Sequence, residues 1–414
     1  MLSQEDNELL TRVGPGTPAG EMLRRYWHPV AVALELTEAS PTMFVRLLGE
    51  DLVLFRDKSG SVGLVGDHCP HRGASLLYGR VEERGIACAY HGWLYDTQGN
   101  CLETPAEPAF RWTDSGGRDS RASAASEAQS EAHGSLFHLT IKHTAYPVRK
   151  FMGLYWAYLG PLPAPAIPQY DVWARKDGTR KLAVHPMIDC NWFQAMENSV
   201  DPAHLQILHQ EITGGRRTPP STTRGFTDDV LAFDFFVFPH GIIKKRTYRD
   251  GHIDEHPLLF PTVLRVNNST EIRVPVDDTH LRIFEPYFFP SPDGSVIEHD
   301  EPEVEYLPPF KKPVEQLHPF TRFRWDQVPA QDTAMWETQG PMADREHERL
   351  STTDKGIVLL REVMKENIAR VQQGLDPLGL QRDAAHGIID TKLDETLALM
   401  RERNSRIQVG ALTT

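Results

Sequence analysis

Two short segments set cysteine and histidine at metal-ligand spacing. In HCPHRGASLLYGRVEERGIACAYHGWLYD, Cys69 and His71 form a Cys-x-His pair, and Cys88 and His91 form a Cys-x-x-His pair. Each pair mixes one thiol with one imidazole. A [2Fe–2S] centre of the Rieske type needs this set, with two thiolates on one iron and two imidazoles on the other, which raises its potential above that of an all-cysteine cluster. Pro70 stiffens the first loop, and Gly73 and Gly92 let backbone amides turn toward the sulfurs. Zinc also takes two cysteines and two histidines, but a finger keeps like ligands together, whereas here each pair is mixed. Unrelated buried cysteines and histidines are the remaining alternative. Cys101, Cys190 and His68 fall outside the pattern, and the two cysteines read as small buried residues.

A second segment, Glu197-Asn198-Ser-Val-Asp201-Pro-Ala-His204-Leu-Gln-Ile-Leu-His209, offers two histidines among several carboxylates. This is material for a facial triad of two histidines and one carboxylate, which leaves positions open for dioxygen. Residues five apart on a regular α-helix point about 140° away from each other. The helix is therefore expected to end or widen, as in a π-type turn, between His204 and His209. The bland alternative is a pair of surface or core histidines on an amphipathic segment.

These residues need elements to position them. The run Thr42 to Leu102 alternates short apolar stretches with Gly and Asp, which predicts a small antiparallel β domain. A Ser/Ala/Glu/Gly tract near 113–134 reads as a flexible insertion that interrupts this domain, because strand-like alternation returns in HTAYPVRKFMGLYWAYLG. After a Pro-rich exit, helical segments flank strand runs such as LAFDFFVF and HLRIFEPYFF. The expected division is 1–165 and 166–414, with an α+β class overall. The 414 residues carry a formal charge of -13, so the basic field that recruits nucleic acid is missing. No stretch is long and apolar enough to span a membrane, and the start MLSQEDNELL lacks the features of a signal peptide, so the reading is cytoplasmic.

With both motifs in this order, the chain resembles the oxygenase α subunits of the Rieske non-haem iron oxygenases, within them the phthalate dioxygenase-like group of aromatic-acid oxygenases and O-demethylases. The resemblance runs from VGPGTPAGEMLRRYWHPV to ETQGPMADREHERLSTTDKGIVLLRE. It implies an N-terminal antiparallel Rieske domain and a C-terminal helix-grip-like α+β catalytic domain with a central antiparallel sheet. It implies a mononuclear Fe(II) on His204, His209 and an aspartate opening a C-terminal helix, a position matched by Asp354, with Asp332, Glu337 and Asp344 as lesser substitutes. A simple helix cap is the alternative reading of Asp354. The resemblance makes Asp201 the bridge that carries electrons from a neighbouring subunit's cluster histidine, matched by His91, to His204. It also implies an α3 homotrimer. Asn198 and Glu197 are read either as outer support for the iron or as residues that cap and solvate the helix.

Electrons must come from outside, because Gly14, Gly16 and Gly20 do not form G-x-G-x-x-G and no cysteines remain for a plant-type ferredoxin. A separate NAD(P)H-dependent reductase is implied, with or without a ferredoxin. The texts ENSVDPAHLQILH, IIKKRT and ETQGPMADR resemble, at subgroup level, O-demethylases of lignin-derived biaryl acids, which use O2 and release formaldehyde. Ring hydroxylation of a phthalate-like carboxylate is the alternative, and a Rieske electron carrier without oxygenase activity is a third reading. Phe-rich strands and the cations Lys244, Lys245 and Arg246 offer apolar contact and a carboxylate partner for an aromatic acid, although such stripes also serve as core and strand ends.

Overall fold

The computed structural model describes residues 2–106, 137–209, 230–249, 251–298, 301–313, 322–383 and 387–401. The tract at 113–134 lies outside them. The chain forms two compact units, one of residues 27–159 and one of residues 1–26 with 160–414.

The smaller unit is built from three antiparallel sheets. One four-stranded sheet joins Thr42–Leu47, Glu50–Arg56, Val62–Gly66 and Ala145–Tyr146. A second joins Arg80–Glu82, Gly85–Ala87, Leu94–Tyr95 and Cys101–Glu103. The third pairs Leu154–Tyr158 with Trp27–Val32 and Val148–Phe151. Strands on both sides of the 107–136 gap thus complete one unit, as the returning alternation predicts. Its core gathers Val53, Phe55, Val65, Leu76, Ile86, Trp93 and Tyr95 around the buried Cys69, Cys88 and Cys101.

The larger unit is organised on an eight-stranded sheet, ordered Val230–Phe238, Gly241–Tyr248, Ile253–Leu259, Val263–Val266, Ser269–Pro275, Leu281–Pro290, Gly178–Val184 and Glu303–Tyr306. All neighbours are antiparallel except the last pair, so the expected antiparallel sheet carries one parallel edge. Helices Trp192–Ser199 and Pro202–Ile207 carry the second motif. Strand alternation puts Lys244, Arg246, Asp254, His256, Glu271, Arg273, Glu285 and Tyr287 on one face. Helix Trp192–Ser199 packs there: Lys244 Nζ donates to the Ser199 carbonyl at 3.0 Å, and Arg273 donates to the Ala195 carbonyl and to Ser199 Oγ. A sheet face this polar cannot be a plain hydrophobic core, and its charges are held by partners.

The division at 165 needs correction, because the first 26 residues pack with the larger unit. Helix Gln4–Thr11, capped by Ser3, buries Leu10. Asn7 accepts a hydrogen bond from Arg345 Nη1 at 2.9 Å and donates to the Ala343 carbonyl at 3.0 Å. Arg345 also reaches Glu197 at 2.7 Å, and Arg361 reaches the same carboxylate at 2.6 Å while holding Glu348. Glu197, Arg345 and Arg361 are buried, so their charges depend on one another. Replacing Glu197 with leucine leaves two buried guanidinium groups short of their counter-ion and is expected to destabilise this unit by about 3–5 kcal/mol. A urea titration checks this, and a loss below about 1 kcal/mol would refute the clamp.

Candidate iron centres

The two loops of the first motif are backbone copies of one another. Cys69 N–H donates to the Ala74 carbonyl and Gly73 N–H returns to Cys69 O, at 2.9 and 2.8 Å. Cys88 N–H donates to the Trp93 carbonyl and Gly92 N–H returns to Cys88 O, both at 2.9 Å. Gly73 and Gly92 both have φ of 74°, a left-handed conformation that glycine adopts without steric cost. The repeated Cys-x-x-x-Gly spacing was a second signal in the sequence. The thiols face inward, at 2% and 3% exposure for Cys69 and Cys88, while the His71 and His91 rings sit 4.4 Å apart and half-buried. His71 also stacks on Trp93 at 4.3 Å with an 8° interplanar angle.

Burial pushes the Cys69 thiol up, against hydrogen bonds from the Tyr95 hydroxyl and the His71 amide that pull it down. Thiolates here need a metal to ionise them, and the Tyr95 hydroxyl, 3.2 Å from Cys69 Sγ, is placed to tune the sulfur. Sequence spacing did not single out Tyr95. Among the described residues, these four donors do not form a set gathered within 4.8 Å, as a single zinc ion would require. A two-metal cluster suits them better. His68 is exposed, Cys101 is buried in the core of the same unit, and Cys190 is buried in the larger one.

In the second motif, Asp201 caps helix Pro202–Ile207, accepting from Ala203 N–H at 2.9 Å. The helix ends at Ile207, before His209, as the five-residue spacing requires. The two imidazoles therefore meet instead of diverging, with ring centroids 5.5 Å apart and planes at 85°. Asp332, on helix Val328–Thr338, completes the group: its Oδ1 lies 3.2 Å from His209 Nε2 and 3.7 Å from His204 Nε2. One ligand atom from each of the three lies within 4.8 Å of the others.

The expectation for Asp354 is corrected by this geometry. Asp354 does open a helix, Lys355–Gln372, but its carboxylate turns back to accept from Ser351 N–H at 2.5 Å in a capping box. Of the substitutes, Glu337 is held by Lys311 at 2.6 Å and by the Asp189 N–H, and Asp344 is exposed beside His347. The aspartate that meets the histidines is also near the start of a C-terminal helix, but of the preceding one.

Around the triad, Gln331 Oε1 faces His209 Nδ1 at 2.7 Å, a contact that fixes the ring with Nε2 toward Asp332. No spacing signal pointed to Gln331. Burial lowers the His209 pKa, but Asp332 and Gln331 outweigh it and the net shift is upward. Asp332 thus draws positive charge onto the imidazole, a charge that a divalent cation would supply in place of the proton. The donor set therefore fits a mononuclear iron. Asn198 Nδ2 reaches Asp332 Oδ1 at 3.5 Å, whereas Glu197 is taken up by Arg345 and Arg361. Asp201 Oδ2 lies 3.6 Å from His204 Nδ1. Burial works to raise the Asp201 carboxyl, but His204 and the Ala203 amide outweigh it and hold the carboxyl below its usual range.

A Rieske [2Fe-2S] domain model matches residues 26–114, and a model described as LigXa C-terminal domain like matches 317–392. The chain is 36% identical to the 5,5'-dehydrodivanillate O-demethylase oxygenase subunit of Sphingobium sp., over 93% of this chain and 85% of that one. The chain belongs to the Rieske non-haem iron oxygenases. Another member, the phthalate 4,5-dioxygenase oxygenase subunit of Pseudomonas putida, is 33% identical over 92% of this chain and 89% of its own length. In fold, this Rieske oxygenase is similar to the fluorene-bound oxygenase in the ferredoxin complex of carbazole 1,9a-dioxygenase, with TM-score 0.60 and 18% identity over 91% of this chain and 99% of that one. As a terminal oxygenase component it uses a [2Fe–2S] cluster, a mononuclear iron and electrons from a reductase or ferredoxin. No helix among the described residues is long and apolar enough to cross a membrane.

Asp332→Ala is expected to lose the mononuclear iron and keep the visible spectrum of the cluster, while Asp354→Ala keeps both. Iron per chain, measured against absorbance, distinguishes the two aspartates; iron lost from the Asp354 variant alone would restore the first assignment.

Proposed function

We propose that this oxygenase removes the methyl group of a methoxylated, lignin-derived aromatic acid of the biaryl type, with release of formaldehyde. In this reading Cys69, Cys88, His71 and His91 hold the cluster, and His204, His209 and Asp332 hold the iron. Bound together, the two groups supply single electrons and activation of dioxygen at a site with open positions. Oxygen inserted into the methyl C–H bond gives a hemiacetal, which collapses to a phenol and formaldehyde, and the second oxygen atom leaves as water after two electrons and two protons are taken up.

The observation that carries the reading is the similarity over nearly the whole chain to an O-demethylase oxygenase subunit. The cations add support for an acid substrate. Arg246 is held by Asp254, and Lys245 lies on the opposite sheet face from the motif helix. Lys244 is 5% exposed, and among the described residues it has no ion-pair partner, so two of its N–H groups remain for a carboxylate. Burial, followed by the charge of Arg246, lowers its pKa to about 7, and an anionic substrate would hold it protonated.

The iron-loaded protein with a surrogate reductase, NADH and methoxylated aromatic acids should release formaldehyde in step with oxygen consumed. Hydroxylated product without formaldehyde would move the protein to ring hydroxylation.

Asp201 is the candidate bridge for electrons, being half-buried beside His204 and fixed by its helix-cap bond. A head-to-tail α3 ring would bring a partner's cluster to it. Asp201→Asn should then bind both metals and sediment as a trimer, yet turn over at least about tenfold more slowly, since loss of the charge facing His204 weakens the route. Near-normal turnover, or a monomer with full activity, would remove that role.

A further inference from the structure

The larger unit holds a cavity of about 400 Å3 on the sheet face that the motif helix covers, within the size range of small-ligand sites. Phe289 and Leu307 supply its apolar walls. Gln327 and Pro329 also line it, at the start of the helix that presents Gln331 and Asp332 to His209. Glu285 shares its sheet face with Glu271, whose charge acts on His209.

One polar group stands out in this wall. Glu285 is only 5% exposed, yet it lines the cavity. Its Oε2 pairs with His185 Nε2 at 3.1 Å and its Oε1 accepts from Ser269 Oγ at 2.9 Å. The Tyr287 hydroxyl on the same sheet face is held protonated by burial and by the charge of Glu285. A carboxylate offers about four acceptor positions, so capacity is left for a donor in the cavity. Glu303 and Glu305 stand at the same cavity, with Lys181 paired to Glu303 at 2.8 Å. Together these charges disfavour a substrate carboxylate beside Glu285.

We propose that this cavity seats the uncharged, phenolic end of the substrate, with the aromatic hydroxyl donating to Glu285 and with His185 and Ser269 fixing the carboxylate that receives it. The assignment rests on the reading of the protein as an oxygenase of methoxylated aromatics and specifies which of them it takes: those with a free ring hydroxyl.

Calorimetric titration of the full chain, loaded with cluster and iron and kept free of oxygen, reads binding without turnover. 2-Methoxyphenol should bind at least about tenfold more tightly than 1,2-dimethoxybenzene, which lacks the donor, and Glu285→Gln should shrink that ratio to about threefold or less. Equal affinities in the unaltered protein, or an unchanged ratio in the variant, overturn the assignment. If circular dichroism shows that Glu285→Gln does not fold, Leu307→Trp decides: it fills the cavity from a partly buried wall, so lost binding of 2-methoxyphenol supports the site and retained binding overturns it. Formaldehyde release is read separately. A Glu285-dependent preference for phenols without formaldehyde would sink O-demethylation alone, and formaldehyde without that preference would sink the cavity assignment alone.

Discussion

Much of the larger unit depends on one buried carboxylate. Glu197 accepts from both Arg345 and Arg361, and through them it is tied to Asn7 on the N-terminal helix and to Glu348. Buried charges tolerate little displacement, because each guanidinium moved from its partner regains a desolvation cost without the compensating attraction. Helix Trp192–Ser199 is therefore pinned by its far side. Its near side is pinned by Arg273 and Lys244, which donate to carbonyls at Ala195 and Ser199. A helix fixed on two sides by polar contacts delivers the chain at Asp201 to one place.

From that place the candidate iron site follows from local rules. One helix ends at Ser199, Asp201 caps the next, Pro202 begins that helix without needing a hydrogen-bonded N–H, and the helix runs out at Ile207. His204 sits within the helix and His209 beyond it, so a spacing that would separate them on a continuous helix brings them together. Asp332 arrives from a different helix, and Gln331 beside it sets the His209 ring. Adjacent residues on one helix thus serve the same imidazole from two sides.

The polar sheet face has a related logic. In an ordinary α+β unit the face under the helices would be apolar, but here Lys244, Arg273 and Glu285 occupy it, each bonded to a helix carbonyl or a neighbouring side chain. Such networks are stable only when their members are paired, and those that line a cavity with capacity to spare become recognition groups. The family resemblance tells of iron chemistry; the pattern on this face is what supports the proposed substrate cavity.

The cluster loops were legible in the sequence because their ligands are local: two short Cys-His spacings and a glycine four residues after each cysteine encode the turns directly. His204 and His209 were legible for the same reason, as was the helix end between them. The third candidate ligand was not. Asp332 and Asp354 are both acids near the start of C-terminal helices, and nothing local separates them; only packing shows that the carboxylate of Asp354 is turned onto Ser351 while that of Asp332 faces the histidines. The same holds for residues 1–26, whose allegiance to the larger unit rests on Arg345 and Asn7 meeting across the whole length of the chain. Short-range chemistry can be read along a chain, whereas contacts between distant segments exist only once the sheet and its helices have closed around them.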